Sequence, residues 1–369
     1  MAPFLDAKTA VSDMSLNHLL LYCRPGFESD CANEIQSVSA RLGIYGYVKT
    51  RENAGYVTFI SHEPDGALQI QKKQRFSGLV FARQWVAAGE MIADLPMKDR
   101  VGALTAALAD LPQCGEVRLE TADTNEAKEL SVFCRKFAHP LRQGLRKAGL
   151  LSKTEGPRKP CLHLFFIDSC NLYAGISRPG NNSPCVMGIP RLKFPKEAPS
   201  RSTLKLEEAF HVFVPRDEWD TRLAPSMKAV DLGAAPGGWT WQLVNRHMFV
   251  TSVDNGPMNR DLMQSGLVTH LQEDGFLFHP AKPVDWVVCD IVDKPSRTAG
   301  RMADWLVNGW CREAIFNLKL PMKQRFTAVE AAIDKIQSRM AEAERHCSLT
   351  IKQLYHDREE VTVHAKLEP

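Results

Sequence analysis

The sequence has little that would build a disulfide framework or a metal centre. Its ten cysteines are scattered over 369 residues without a Cys-x-x-Cys pair, and no His-Glu-x-x-His or other metal-ligand spacing is present. Scattered thiols are typical of a reducing compartment. We therefore expect a cytoplasmic protein without structural disulfides and with no metal.

Long apolar runs and a strong net charge are also missing. No run is long enough to span a bilayer, so no membrane association is expected. Residues 1–15 are polar and mixed, which predicts a short disordered lead rather than a targeting signal. With 46 basic and 43 acidic residues the formal net charge is only +3. Any nucleic-acid surface must therefore be a local patch.

The strongest local signal is a glycine turn between a strand and a helix. The segment reads Asp231-Leu-Gly-Ala-Ala-Pro-Gly-Gly-Trp239, after an apolar run and before a helical pattern. Strand, tight turn and helix open a nucleotide-binding α/β unit. The spacing is neither the Gly-x-Gly-x-x-Gly of dinucleotide sites nor a phosphate loop. It resembles motif I of class I S-adenosylmethionine (SAM) methyltransferases, in the version found in RNA ribose 2′-O-methyltransferases.

Acidic residues follow the next two predicted strands. Asp254 closes the strand that begins at Phe249, where an acid can accept hydrogen bonds from the hydroxyls of an adenosine ribose. Glu273 and Asp274 follow the third strand, and either could bind the adenine amino group; Asp274 is the preferred candidate.

Four charged residues are the candidate catalytic group. Lys205 lies in the first turn of a helix whose predicted cap is Ser202 or Thr203, Asp290 and Lys319 end two strands, and Glu360 begins the last strand. Carboxyl ends of parallel strands converge on the ligand crevice. The set resembles the Lys-Asp-Lys-Glu tetrad of ribose 2′-O-methyltransferases similar to the bacterial heat-shock rRNA enzyme.

The four residues suit an alcohol acceptor. A ribose 2′-hydroxyl needs a base, and Lys319 is the predicted one, with a pKa lowered by Lys205 and by partial burial. Asp290 would orient its amine, and Glu360 would hold Lys205. Adenine amino methylation fits less well, because Cys289-Asp-Ile-Val-Asp293 replaces the motif of those enzymes. A cytosine C5 nucleophile also fits less well, because Pro160-Cys161 and Pro184-Cys185 both precede the glycine turn.

The amino-terminal half predicts two α+β modules. Residues 18–60 read as strand, helix, strand and strand, with Ser29 as helix cap, which is half of a ferredoxin-like unit. The later order of helix, strand, basic helix and strand pair resembles a THUMP domain, an RNA-binding module. A basic cluster is the candidate RNA contact, although such a run can also be a plain solvated helix face. Its members are Arg135, Lys136, Arg142, Arg146, Lys147, Lys153, Arg158 and Lys159.

These patterns predict a domain order. The lead covers 1–15, a ferredoxin-like α+β domain 16–80, a THUMP-like RNA-binding domain 81–178, a linker 179–200, and a Rossmann-like SAM-dependent methyltransferase domain 201–369. The expected fold class is α/β, with a Rossmann-like class I methyltransferase domain preceded by an α+β RNA-binding half.

The whole chain after about residue 16 resembles the RlmM family of bacterial 23S rRNA cytidine 2′-O-ribose methyltransferases. Further segments that carry the resemblance are Tyr22–Glu28, Ser202–Ala209, Asn317–Lys319 and His356–Val361. The resemblance implies SAM as donor, Lys319 as proton acceptor, and a cytidine of the peptidyl-transferase region as target. We expect the rRNA to be naked or in an early assembly intermediate, and the protein to be a monomer. Motif and resemblance together predict cofactor contacts at Ser202, Asp231, Gly233, Ala235, Pro236, Gly237, Gly238, Trp239, Asp254, Asp274 and Asp290.

Two alternatives remain open. One is a ribose methyltransferase for another RNA class, such as tRNA or an mRNA cap. The other is an RNA-binding ribosome assembly factor that keeps the fold but is catalytically silent.

Overall fold

The computed structural model describes residues 15–368, which form two compact units. One unit contains the residues up to Phe76 together with Arg83–Gly188, and the other contains Ser77–Ala82 together with the residues from Ile189 onward. The predicted lead lies outside the described residues except for Ser15, whose hydroxyl donates to the carbonyl of Pro64. None of the helices in the described range is both long and apolar enough to cross a membrane.

The first unit is built on one seven-stranded sheet in the order β2-β3-β1-β4-β7-β6-β5. Among the described strands of this unit, β5 and β6 pair in parallel and the other neighbours are antiparallel. Because β1 pairs with β4, a continuous sheet joins the segments predicted as 16–80 and 81–178. The elements are β1 (His18–Tyr22), α1 (Glu28–Arg41), β2 (Gly46–Thr50), β3 (Tyr56–Ser61), α2 (Gly66–Lys73), β4 (Gln84–Ala88), α3 (Arg100–Ala107), β5 (Glu116–Thr121), α4 (Lys128–Lys147), β6 (Cys161–Phe166) and β7 (Leu172–Ser177).

The helix α4 shows why this half folds as it does. Leu141 and Leu145, four residues apart, are fully buried in the core, while Arg142 and Arg146 on the next positions are exposed. This is the division of faces expected of an amphipathic surface helix. Burial of each leucine contributes about 2 kcal/mol.

The predicted cap of α1 is wrong. The helix begins at Glu28, one residue before Ser29, and no side chain caps it. Instead, the Glu28 carboxylate accepts hydrogen bonds from the backbone N–H groups of Gly26 (3.0 Å) and Gly55 (2.8 Å). The carboxylate in the first turn therefore holds the loops at Gly26 and Gly55. The local sequence pattern does not predict these two contacts.

The predicted linker is fixed at its start. The Arg118 guanidinium donates to the carbonyl oxygens of Ser183, Pro184 and Cys185 at 2.9–3.2 Å. Met187 N–H donates to Glu120 at 2.6 Å. Residues 183–188 are therefore part of the first unit rather than a loose connection.

The second unit is a Rossmann-like domain, which confirms the predicted fold class. Its sheet has the order β10-β9-β8-β11-β12-β14-β13, in which the first five strands are parallel and the last two pairings are antiparallel. The strand order reverses between β8 and β11, where ligands of such sheets bind. The elements are α5 (Thr203–Phe213), α6 (Trp219–Arg222), β8 (Lys228–Leu232), α7 (Gly238–Val244), β9 (Phe249–Val253), α8 (Arg260–Gln264), β10 (Val268–Leu271), β11 (Val284–Cys289), α9 (Pro295–Val307), β12 (Cys311–Lys319), α10 (Arg325–Glu342), β13 (Cys347–Lys352) and β14 (Glu360–Leu367).

Candidate active site

The glycine turn lies at the switch point, between β8 and α7. Gly233 and Gly237 have φ angles of +74° and +114°, which favour glycine. A Cβ on Gly237 would lie 2.4 Å from a methyl group of Leu262, and one on Gly238 would lie 2.2 Å from the Ser202 hydroxyl. Trp239 donates from its indole N–H to the Ser202 carbonyl at 3.1 Å. The turn therefore packs directly against the start of α5, which carries Lys205.

Carboxylates follow the neighbouring strands at the same edge of the sheet. Asp254, directly after β9, accepts from the N–H groups of Ala235 (3.1 Å) and Gly256 (2.7 Å) and remains partly exposed. Asp274, beyond β10, is exposed. Carboxylates suit the hydroxyl, amino and cationic groups of SAM, and glycines leave room for it, so the residues present fit this cofactor.

Strand register brings the four candidate catalytic residues together. Lys319 and Glu360 are direct partners across β12 and β14. Cys289 pairs with Phe316, so Asp290 follows β11 beside the end of β12. Lys205 joins them from the first turn of α5. All four predicted residues thus form one cluster.

The four charges form a closed ring of ion pairs. Asp290 lies 2.5 Å from the Lys319 amine and 3.2 Å from the Lys205 amine. Glu360 bridges both lysines through its two carboxylate oxygens. The side chains are 6–19% exposed, so the pairs are mostly shielded from water.

The predicted lowering of the Lys319 pKa is wrong. Burial by itself lowers the pKa of Lys319, but Asp290 and Glu360 raise it and the net shift is upward. Burial likewise raises the pKa of Asp290, but Lys205 and Lys319 lower it, and the net shift is downward. The prediction considered the repulsion from Lys205 and placed Asp290 at this amine only to orient it, and it missed that Glu360 contacts the same amine. In this state Lys319 is an ammonium group.

Three buried residues behind the cluster were not singled out from the sequence. Asn317 donates to Asp290 at 2.9 Å, Thr362 donates to Asn317 at 2.8 Å, and Asp357 lies next to Thr362. Asn317 could have been found, because it is two residues before Lys319 on a strand and so shares its face. Asp357 lies in a segment that carries the family resemblance, but no local pattern marks it as a site residue, because it lies in a loop that only tertiary packing brings here.

Two predicted cofactor contacts are buried in the protein. The Asp231 carboxylate accepts from the Thr240 hydroxyl at 2.7 Å, and burial raises the pKa of Asp231 to about 7. Trp239 lies in the core of the second unit. Both side chains support the turn from behind. The cofactor contacts assigned to them, as to the other turn residues, stay predictions.

The basic cluster lies on α4 and the segment after it, in the first unit. All eight members are exposed, and within residues 15–368 none of them is held in an ion pair. Phe133 and Phe137, which lie among the basic residues of α4, stack on each other with ring centroids 5.3 Å apart and pack against Phe166. The two rings therefore belong to the core, and the cluster presents charge rather than stacking groups.

Family models match most of the chain. The model for the RlmM ferredoxin-like domain matches residues 16–86. The model for the amino-terminal region of ribosomal RNA large subunit methyltransferase M matches 99–178. The FtsJ-like methyltransferase model matches 198–347. None of these descriptions names a THUMP domain, so that resemblance stays a prediction.

Relatives match along nearly the whole length. Ribosomal RNA large subunit methyltransferase M of Citrobacter koseri is 55% identical over 353 residues, covering 95% of this chain and 96% of the relative. The protein of the same name from Cronobacter sakazakii has the same identity and coverage. Among solved structures, the fibrillarin of Aeropyrum pernix with bound SAM has a TM-score of 0.32 at 9% identity, covering 55% of this chain and 81% of that one. A TM-score and an identity this low support no conclusion about activity.

Identity at this level over both units confirms the family that the motifs predicted. The chain belongs to the ribosomal RNA large subunit methyltransferase M family, and it is an rRNA methyltransferase with S-adenosylmethionine as its methyl donor.

Proposed function

We propose that the protein methylates the 2′-hydroxyl of a cytidine ribose in 23S rRNA, with Lys319 as the proton acceptor. The observation that carries this is the ring of Lys205, Asp290, Lys319 and Glu360 at the carboxyl edge of the sheet, beside the glycine turn. SAM supplies a methyl group on a positively charged sulfur. The chain must then position the hydroxyl oxygen and take up its proton.

Proton transfer sets a requirement on Lys319. Its amine accepts the hydroxyl proton only when it is neutral, whereas its pKa is raised by Asp290 and Glu360. Positive charge bound next to Asp290 would offset that carboxylate and make the loss of a proton from Lys319 easier. Lys205 and Glu360 keep the amine in place. Alignment of the reacting atoms by such a rigid group lowers the barrier further.

Binding of RNA is assigned to the first unit. The exposed basic residues from Arg135 to Lys159 can neutralise phosphates without first breaking ion pairs within the protein. We infer that the substrate is protein-free 23S rRNA or an early assembly intermediate, and that the protein acts in the cytoplasm as a monomer. We also propose that the cofactor contacts predicted above, Ser202 and Asp254 among them, hold SAM.

Methyl transfer from labelled SAM to protein-free 23S rRNA tests the proposal. Wild type is compared with Lys319→Ala and with Lys319→Arg, which keeps a positive charge but cannot act as a base. We expect label on a cytidine 2′-oxygen with the wild type and a loss of at least about 100-fold in both variants.

The two variants separate charge from base. Full activity of Lys319→Arg would show that only the positive charge is needed and would contradict the assigned role. If wild type labels only a partly assembled particle, the naked-RNA substrate is wrong. If it binds RNA but labels neither form, a catalytically silent assembly factor is the correct reading.

A further inference from the structure

A chain of buried polar groups leads away from Asp290. Asn317 donates from its side-chain amide to Asp290 Oδ1 at 2.9 Å, and the Thr362 hydroxyl lies 2.8 Å from Asn317 Oδ1. The same hydroxyl lies 3.1 Å from Asp357 Oδ1 and 3.0 Å from Asp357 Oδ2, and Oδ2 also accepts from Leu354 N–H at 2.9 Å. Asn317, Thr362 and Asp357 are 0–1% exposed. No bulk water reaches these groups to replace a missing partner.

The number of available hydrogens determines which group donates in each of these hydrogen bonds. The Asp290 carboxylate can only accept, so Asn317 must turn its NH2 group toward it. The Asn317 oxygen then faces Thr362 and needs a donor. Thr362 has a single hydroxyl hydrogen, which this bond uses. The contact between Thr362 and Asp357 therefore requires a hydrogen from Asp357.

We infer that Asp357 carries a proton and that Asp357, Thr362 and Asn317 form a directed hydrogen-bond chain that positions the Asp290 carboxylate for Lys319. This inference rests on the proposed function, because it assigns positioning residues to that site. Its geometry follows from the register of β12 and β14, in which Asn317 is paired with Thr362 as Lys319 is paired with Glu360.

The surroundings of Asp357 agree with a bound proton. Burial raises the pKa of Asp357 well above its usual range, the carboxylates of Glu360 and Glu208 raise it further, and the hydrogen bond from Leu354 N–H and the positive charge of Lys205 oppose them. An ionised Asp357 would draw the Thr362 hydrogen to itself and leave the Asn317 oxygen buried without a donor. An unpartnered buried group of this kind costs about 1–3 kcal/mol.

Protonation also has a consequence for the active site. Asp290 Oδ1 receives both Asn317 and Lys319. If the Asn317 amide turned over, its oxygen would face the carboxylate and repel it. The hydrogen-bond chain excludes that orientation of the Asn317 amide. It therefore keeps Asp290 in place without adding a further charge to the ring of ion pairs.

Three variants test the chain. Asp357→Asn keeps a donor toward Thr362 and an acceptor toward Leu354, so we expect kcat for rRNA methylation within about threefold of wild type. Thr362→Val keeps the shape but removes the hydroxyl, and kcat should fall about tenfold or more with an unchanged KM for RNA. Thr362→Ser is the matched control, since its hydroxyl should restore most of the rate.

A second readout does not depend on activity. The infrared difference spectrum of wild type minus Asp357→Asn should contain the carbonyl band of one protonated carboxyl at neutral pH, because Asp231, with its pKa of about 7, contributes equally to both proteins and cancels. Thermal unfolding and SAM binding of each variant show whether it is folded.

Each outcome decides the inference. A large loss of kcat in Asp357→Asn, or no difference in the infrared band, would show that Asp357 is ionised. A folded Thr362→Val protein with the wild-type rate would show that the chain does not position Asp290. If wild type itself fails to methylate RNA, the proposed function is wrong, but the infrared band still shows whether Asp357 carries a proton.

Discussion

At the scale of single residues, contacts determine protonation more than residue type does. Lys319 and Asp290 are drawn together by opposite charge, which raises the pKa of the amine and lowers that of the carboxyl. The contribution of Asp290 to stability is present above its unfolded pKa and is lost as pH falls through its lower folded pKa. That of Lys319 is lost only as pH rises through its raised folded pKa.

The raised pKa of Lys319 predicts how the reaction depends on pH. A base must be neutral, and the neutral fraction of Lys319 grows about tenfold per pH unit below its pKa. The value of kcat/KM for SAM, which reports the free enzyme, should therefore rise steadily from about pH 6 to about pH 9, with no plateau near neutrality. Any residual rate of Lys319→Arg provides the control. A flat profile in wild type would argue against Lys319 as the base.

We expect the substitution Asp231→Asn to make the protein more stable than wild type. Its folded pKa is about 7, so the folded protein retains a proton that the unfolded chain loses above its usual value of 3.8. Stability should therefore fall as pH rises between these values. Asp231→Asn keeps the bond from Thr240, and should raise the free energy of unfolding by on the order of 2–4 kcal/mol above pH 7.

Chemical denaturation of both proteins at about pH 5 and about pH 8 checks this, because the gain should shrink at the lower pH. An equal gain at both values would mean that the proton of Asp231 is not involved.

At the scale of elements, the strands and the turns between them decide which side chains meet. Strands β12 and β14 are paired so that Lys319 lies opposite Glu360 and, two residues along on the same face, Asn317 lies opposite Thr362. A shift of one residue would turn the whole set to the other face of the sheet. The glycine turn acts in the same way by letting α7 approach the start of α5.

Alanine substitutions in two turns separate backbone strain from close packing. Gly237 (φ +114°) has a Leu262 methyl 2.4 Å from the position of a Cβ, whereas Gly266 (φ +73°) has open space there. Gly266→Ala should cost about 1–2 kcal/mol of stability and leave SAM binding unchanged. Gly237→Ala should cost more and weaken SAM binding at least about tenfold, because the turn must move. Denaturation and calorimetric titration measure the two effects, and equal SAM affinity in both variants would contradict a role of the turn in binding.

At the scale of the whole molecule, charge is distributed unevenly although its sum is small. A formal net charge of +3 conceals a run of eight exposed basic residues in the first unit. The second unit holds the two proposed catalytic lysines, Lys205 and Lys319, in ion pairs. A protein with this distribution can bind RNA through one region without attracting it over its entire surface.

Charge reversal on α4 tests this division. Arg142→Glu with Arg146→Glu should lower RNA affinity at least about tenfold and reduce the salt dependence of binding by about two phosphate contacts. SAM binding should not change. Lys282→Glu with Lys366→Glu reverses two exposed residues of the second unit and is the matched control. If both double variants lose RNA affinity equally, net charge rather than the α4 surface governs binding.

Much of the second unit could be predicted from the sequence. The apolar strands, the glycine turn and the polar residues at strand ends are local patterns, and the crevice of a parallel sheet gathers strand ends by geometry. The positions of Asp290 and Lys319 followed from this, whereas Lys205 and Glu360 were joined to them by the resemblance to the Lys-Asp-Lys-Glu tetrad. The start of α1 could not be predicted in this way, because Glu28 accepts a hydrogen bond from the backbone N–H of Gly55, which is distant in sequence.

The sequence by itself determined the order of elements, the family and the four charged groups of the site, because these depend on short motifs and on the period of apolar residues. The tertiary structure decided the pKa shifts of Lys319 and Asp231 and brought together Asn317, Thr362 and Asp357, the groups of the proposed hydrogen-bond chain. Those properties depend on burial and on partners that are far apart in sequence, and neither is encoded in the local pattern of any one segment.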